Sequence, residues 1–275
     1  MDGSFYSVIT TDDGSSTVSL TEYGEHMHSH SGAYDEALRK HLIPSRILKR
    51  IDRSLSVLDI GFGLGYNILA LVTEAQSRGI SVPLSIVSFE KDRRFLPILE
   101  SIVFNDERDA LYGYIRKAYQ FGHADLGSIS IAVEIGDARN SVHHLDDNAF
   151  HAIFFDPFSP ARNPELWSCQ FFMEMYRVMK DGGILTTYSS ASHVRAAMLE
   201  AGFTVGRGPG VGGKREGTLA SKGNALTSLT ESEITAILTD YKSAPFRDVS
   251  LAADRESIRE ARRKEIRARK NSART

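Results

Sequence analysis

Cysteine is almost missing from this sequence. Cys169 stands alone, which excludes an internal disulfide framework and fits a reducing, cytoplasmic compartment. Long apolar runs are missing too. None approaches the roughly 20 residues needed to cross a bilayer, and Met1-Asp2-Gly3-Ser4 lacks the basic-then-apolar layout of a signal peptide. No membrane partner is expected. Neither sign of charge dominates, with 33 Lys and Arg against 35 Asp and Glu, so composition permits a nucleic-acid partner without demanding one. Against these absences stand 275 residues, 41% of them apolar, enough to bury a core in one large domain with additions. The balance hides one asymmetry: Arg and Lys crowd into Arg259 to Arg274.

Two hydrophobic periodicities divide the chain. Val8 to Thr11 and Thr17 to Leu20 flank Asp12-Asp13-Gly14-Ser15, the pattern of a β-hairpin. A polar, His-rich loop from Glu22 to Ser31 and a helix from Tyr34 to Arg50 follow. From Leu55 strands and helices alternate. Strands fall at Ser56 to Ile60, Leu84 to Phe89, Ile129 to Ile135, Ala152 to Phe155 and Ile184 to Tyr188. Helices fall at Tyr66 to Arg78, Phe95 to Phe121 with a break near Asn105, Cys169 to Met179 and Ser192 to Ala201. Asp181-Gly182-Gly183 reads as a helix stop, and Phe203 to Arg207 with Gly217 to Ala220 as a closing antiparallel pair. This order predicts an α/β fold with a doubly wound, mostly parallel, Rossmann-like sheet and ligands at the carboxyl ends of its strands. Residues 1–50 would form an N-terminal extension, 51–225 the central domain and 226–275 a helical basic tail. Thr230 and Glu233 make a capping box that opens the tail. Along Glu256 to Lys270, acids and bases alternate at helical spacing, as on a solvated face or an RNA contact.

The most informative stretch is Val57-Leu58-Asp59-Ile60-Gly61-Phe62-Gly63-Leu64-Gly65-Tyr66-Asn67. A buried strand turns sharply into a helix there, with backbone approaching a nucleotide-like ligand too closely for side chains. Dinucleotide sites carry Gly-x-Gly-x-x-Gly at this place and face a pyrophosphate. Here an acid precedes the first glycine and would repel a pyrophosphate, but it can accept hydrogen bonds from an ammonium group. S-adenosylmethionine offers an ammonium and no phosphate, so Asp59, Gly61, Gly63, Gly65 and Asn67 are assigned to a site for it rather than for NAD.

Position at the strand ends assigns further roles. Glu90 closes the second strand of the alternating series, where a carboxylate can accept both ribose hydroxyls; the plainer alternative is a surface pair with Lys91 or Arg93. Asp137 can accept from an adenine amino group or cap a helix. Asp156-Pro157-Phe158-Ser159-Pro160 ends the fourth strand and is the expected reaction centre, with Asp156 also facing the cofactor. Methyl transfer to nitrogen needs a neutral amine aligned with the methyl group and an acceptor for its proton. Asp156 supplies the acceptor, the two prolines stiffen the loop, and Phe158 offers an aromatic wall for a planar base or a cation. A stiff turn after a buried strand is the competing interpretation. His26, His28 and His30 lack a supporting acid or Cys cluster, so no metal is expected. Cys169, beside Phe171 and Phe172, has the setting of a packed thiol.

Phe155-Asp156-Pro157-Phe158-Ser159-Pro160-Ala161-Arg162-Asn163-Pro164-Glu165-Leu166-Trp167 closely resembles the Asp-x-Phe-x-Pro-x-Lys-Asn-Pro-x-x-Trp signature of the MnmC methyltransferase domain family. The resemblance extends through Glu25-His26-Met27-His28-Ser29, the glycine turn, Gly182-Gly183, Thr186 to Ala191, Ala201-Gly202-Phe203 and Gly210 to Glu216, and so covers most of the chain. It implies a class I S-adenosylmethionine-dependent methyltransferase acting on the tRNA anticodon loop. The acceptor would be the amine of 5-aminomethyl-(2-thio)uridine at the wobble position. Arg162 stands where the family usually has Lys, and Pro157 occupies the place of a small residue. Bifunctional members carry an FAD-dependent oxidase for which 275 residues leave no room, so another enzyme would prepare the aminomethyl group.

The resemblance also gives the basic residues work. Arg162, Arg195, Lys214 and Arg215 would rim the site and hold anticodon-loop phosphates, and Pro157 would line it. Trp167 would stack on a base or be buried against the sheet. The alternatives are a small-amine N-methyltransferase or aminopropyltransferase of the same fold, and an RNA-binding module with a relic pocket. Asp59, Glu90 and Asp156 together argue against the last.

Overall fold

The structure, a computed structural model, describes residues 6–10, 16–20, 25–26, 32–210 and 216–272. Strands β1 (Tyr6–Thr10), β2 (Ser16–Leu20) and β3 (Glu25–His26) form a small antiparallel sheet. The expected hairpin is present, while its turn, His28 and His30 lie outside the described residues. Glu25–His26, expected in a loop, pairs instead with β2.

The main sheet contains β4 (Leu55–Ile60), β5 (Leu84–Glu90), β6 (His123–Leu126), β7 (Ile129–Ile135), β8 (Phe150–Phe155), β9 (Met179–Thr187), β10 (Thr204–Gly208) and β11 (Gly217–Ser221). Its order is β10-β11-β9-β8-β4-β5-β7-β6. The five strands from β9 to β7 run parallel, and β6, β10 and β11 are antiparallel to their neighbours. From β4 the chain builds one side through β5 and β7, then returns to build the other through β8 and β9. That reversal opens a crevice at the carboxyl ends of β4 and β8.

Strands buried on both faces must be apolar along their length, and all six residues of β8 are buried. The pleat then sorts them: Val57 and Phe154 enter one core, Leu58 and Phe155 the other. The first core is closed by helices Tyr66–Ser77 and Arg108–Phe121 and by the helical segment 33–49, which contributes Ala33, Ala37, Leu42 and Ile47. The second is closed by helices Cys169–Val178 and Ser192–Glu200 together with Phe246, Leu251 and Ile258 of the tail. Both flanking segments therefore bury side chains in the cores of the sheet.

Three further elements depart from the sequence-based expectation. The segment expected as one helix from Tyr34 to Arg50 is an α-turn Ala33–Glu36, a π-helical turn Ala37–Leu42 and a short turn Ile43–Ser45. A left-handed Arg46 then leads into a 3-10 turn, Ile47–Lys49. The short edge strand β6 was not anticipated. Asp181-Gly182-Gly183 is not a helix stop, because the preceding helix ends at Val178 and the glycines lie inside β9. A register irregularity between Phe150 and Ala152 accompanies them, and a Cβ on Gly183 would sit 2.5 Å from Met179 Cγ.

Candidate active site

Parallel register sets Ser88 of β5, Asp59 of β4, Phe154 of β8 and Thr186 of β9 in one row across the sheet. Residues in one row share a face, so three polar side chains floor the crevice. Asp59 has no exposed surface; its Oδ2 accepts from Ser88 Oγ at 2.6 Å and its Oδ1 from Asn67 Nδ2 at 3.2 Å. Burial pushes the Asp59 carboxyl up to about 7, tempered by those two bonds and reinforced by the Asp156 charge. The expected contact between Asp59 and a ligand ammonium is thereby corrected, since the carboxylate is enclosed and occupied by protein donors. It acts instead as an anchor for Asn67, whose Nδ2 also donates to Asp156 Oδ2 at 3.4 Å.

The glycine turn lies directly against the end of β8. Gly61 has φ +92, and a Cβ there would meet the Asp156 carbonyl oxygen at 2.8 Å, so both conformation and space demand glycine. Gly63 N donates to Glu90 Oε2 and Asp92 N to Glu90 Oε1, each at 2.9 Å. Glu90 is buried rather than paired on the surface, and burial lifts it to about 7 despite these amides. Gly65, with φ +76, is the N-cap of the helix that carries Asn67. Asp137 is the N-cap of helix Ala138–Ser141. Although burial opposes its ionisation, the Arg139 guanidinium and amide, helped by Lys91, hold it down at about 2. Arg139 also reaches Asp248 Oδ2 at 2.8 Å and so ties the tail to the end of β7. Of the two roles open to Asp137, the helix cap is the one on view.

The Asp156 side chain is 25% exposed, at the open side of this array. The loop after it is fixed through its own carbonyls: Tyr188 Oη donates to Pro157 O at 2.9 Å and Trp167 Nε1 to Phe158 O at 2.8 Å. Pro157 is buried, and the half-buried Phe158 packs against the first core. Trp167 has no exposed surface and stands edge-on to Phe155 at 5.1 Å. It is a loop anchor: of the two roles open to Trp167, burial against the sheet is the one on view. Arg195 needs a correction. It is 7% exposed and donates to Thr218 Oγ1, Glu216 Oε1 and Gly217 O, each at 3.0 Å, so it braces β11 from within. Arg162 is exposed on the loop, and Lys214 and Arg215 lie outside the described residues.

One neighbour of Asp156 escaped the sequence entirely. His41 Nε2 lies 3.5 Å from Asp156 Oδ2, and its Nδ1 lies 2.9 Å from Thr186 Oγ1. No motif surrounds His41, and its partners are 115 and 145 residues away, so no local pattern could have singled it out.

At the strand ends the partly exposed Asp156 carboxylate and the Glu90 carboxyl are acceptors beside the glycine turn, which suits hydrogen-bond donors and a cationic ligand rather than a pyrophosphate. Glu90, held beside the glycine turn, is placed for a ribose diol.

Known proteins share this fold and sequence. A family model described as S-adenosyl-L-methionine-dependent methyltransferase matches residues 105–223. The crystal structure of MNMC2 from Aquifex aeolicus superposes with a TM-score of 0.85 at 30% identity, over 97% of this chain and 87% of that one. An uncharacterised protein of Methanocaldococcus jannaschii is 30% identical over 94% of this chain and 73% of its own length. The tRNA 5-methylaminomethyl-2-thiouridine biosynthesis bifunctional protein MnmC of Pseudomonas fluorescens is 33% identical over 59% of this chain, which spans only 26% of that protein. The chain thus belongs to the MnmC-like methyltransferases, enzymes of Rossmann-like fold whose methyl donor is S-adenosylmethionine.

Proposed function

We propose that this protein methylates the primary amine of 5-aminomethyl-(2-thio)uridine at the wobble position of tRNA, forming the methylaminomethyl nucleoside in the cytoplasm. The observation that carries the proposal is the Asp156 carboxylate, partly exposed on a braced loop and approached by Asn67 Nδ2, while the main chain of Asp156 lies directly against Gly61 of the glycine turn. The printed role of the Pseudomonas relative, biosynthesis of 5-methylaminomethyl-2-thiouridine, supports the choice of acceptor. Gly61, Gly63 and Glu90 would hold S-adenosylmethionine, which supplies an electrophilic methyl group when bound. Asp156 orients the neutral amine in line with that methyl and takes the proton the nitrogen sheds after the N–C bond forms. Phe158 provides an aromatic wall for the base.

Basic residues near the loop give the tRNA backbone a place to rest. Arg255 pairs with Glu165, and Arg259 donates to the Ala161 carbonyl, so the tail helix Arg255–Ser272 is fastened to the loop after Asp156. Arg162, Lys264 and Arg267 are exposed and would meet phosphates of the anticodon arm. The aminomethyl group would have to be in place on the base before this step, which sets the order of the two reactions. Incubation of tRNA bearing 5-aminomethyl-2-thiouridine with protein and S-adenosylmethionine, followed by mass spectrometry of the nucleosides, should show a gain of one methyl on the wobble base. Transfer to free small amines but not to this tRNA would sink the proposal.

A further inference from the structure

His41 belongs to the N-terminal segment, apart from both the glycine turn and the loop after Asp156, yet its ring is built into the reaction centre. It is 1% exposed and lies in the π-helical turn Ala37–Leu42, where Ile43 N bonds to Leu38 O. Such turns are rare and recur at functional sites. The ring packs over Phe154 at 5.8 Å, with Nδ1 held at 2.9 Å from Thr186 Oγ1. Its Nε2 is buried and makes no hydrogen bond among the described residues, although Asp156 Oδ2 is only 3.5 Å away. A buried polar atom without a partner costs about 1–3 kcal/mol, so the position calls for a compensating role. Hydrogen bonds at catalytic sites are often long before substrate binds and tighten afterwards.

We propose that His41 is a positioning residue for Asp156. With the Thr186 hydroxyl donating to Nδ1 at 2.9 Å in preference to the more distant Ile153 carbonyl at 3.5 Å, the ring tautomer has its proton on Nε2, aimed at Asp156 Oδ2. Asn67 Nδ2 approaches the same oxygen at 3.4 Å. The two donors grip the carboxylate at Oδ2 and fix its rotation toward the amine. No proton leaves His41 in this scheme: the amine proton goes to Asp156, and the C–S bond of the donor breaks as the N–C bond forms.

The inference rests on the proposal that Asp156 meets the substrate amine, and the variants separate the two. With tRNA bearing 5-aminomethyl-2-thiouridine and S-adenosylmethionine as probes, His41→Leu should lower kcat by 10- to 100-fold while both KM values stay within about threefold. His41→Gln, whose amide N–H can reach toward Oδ2, should recover part of that loss. Thr186→Val, which leaves the ring in place but removes its proton anchor, should lower kcat in the same sense. A His41→Leu enzyme with kcat within twofold of the parent would overturn the inference. So would equal losses of kcat and both KM values in the Leu and Gln variants, the pattern of general damage. If Asp156→Asn is inactive while His41→Leu is normal, only the role of His41 fails; if Asp156→Asn turns over normally, the reading of Asp156 fails with it.

Discussion

Replacing Gly61 with alanine should damage both halves of the site at once, because the glycine turn and the end of β8 touch at this residue. The backbone has φ +92, and an L side chain in left-handed conformation costs about 1–2 kcal/mol. A stiffer unfolded chain returns roughly 0.4–1 kcal/mol of that. The larger penalty is steric. The new Cβ would lie 2.8 Å from the Asp156 carbonyl oxygen, 3.1 Å from its carbon and 3.2 Å from Pro157 Cα. All three are backbone atoms and cannot rotate aside. The turn and the strand end must part by about half an ångström, an overpacking that costs about 1–3 kcal/mol. A net loss of about 2–4 kcal/mol should appear in denaturant unfolding. Since a misplacement of about 1 Å can cost roughly 100-fold in rate, about half of that displacement should cost roughly tenfold in kcat. Gly127→Ala is the control, for its φ is +61 with nothing within 4 Å; it should lose about 1 kcal/mol or less and turn over normally. If Gly61→Ala were no less stable than Gly127→Ala and kept kcat within twofold, the contact would not couple cofactor turn and reaction centre.

Stability should fall as pH rises from about 4 to about 7, because Asp59 and Glu90 keep their protons to about 7 in the folded state but release them near 4 when unfolded. Asp59→Asn should flatten that fall by about 2–4 kcal/mol in unfolding titrations at pH 4.5 and 7.5; an unchanged slope would show that Asp59 ionises normally in the fold. Trp167→Phe keeps the edge-on packing on Phe155 but strands the Phe158 carbonyl, so it should cost about 1–3 kcal/mol and lower kcat without changing the salt dependence of tRNA binding. Arg195→Met removes the donor to Thr218, Glu216 and Gly217 and should lower stability by about 3–5 kcal/mol. Weaker tRNA binding at unchanged melting temperature would restore Arg195 to the RNA face. Cys169 is buried and its thiol is pushed up to about 11 by burial and the Glu200 charge, so it should react with a thiol reagent only on unfolding; labelling of the native protein within minutes would contradict its packing.

The inner strands were legible because burial on both faces forces a continuous apolar run, as in Phe150–Phe155. The glycine turn was legible because a sharp strand-to-helix turn admits few other residues. What failed was what depends on neighbours. β6 is a four-residue edge strand that exists because β7 offers it a ladder. The glycines of β9 resemble a helix stop until β8 and β11 pair around them.

At the site the division follows the same physics. Local sequence fixed the acids at strand ends and the stiff loop after Asp156, since strand, turn and cap chemistry act over a few residues. It identified Asp59 and Arg195 by chemical type but not by surroundings, and enclosure turned both from ligand contacts into internal braces. Only the tertiary structure decided that His41, on a segment folded over the first core, would lie beside the Asp156 carboxylate that Asn67 also approaches. No sequence period links residues 115 positions apart, and the contact exists because the sheet brings Thr186, Phe154 and Asp59 into one row beneath it.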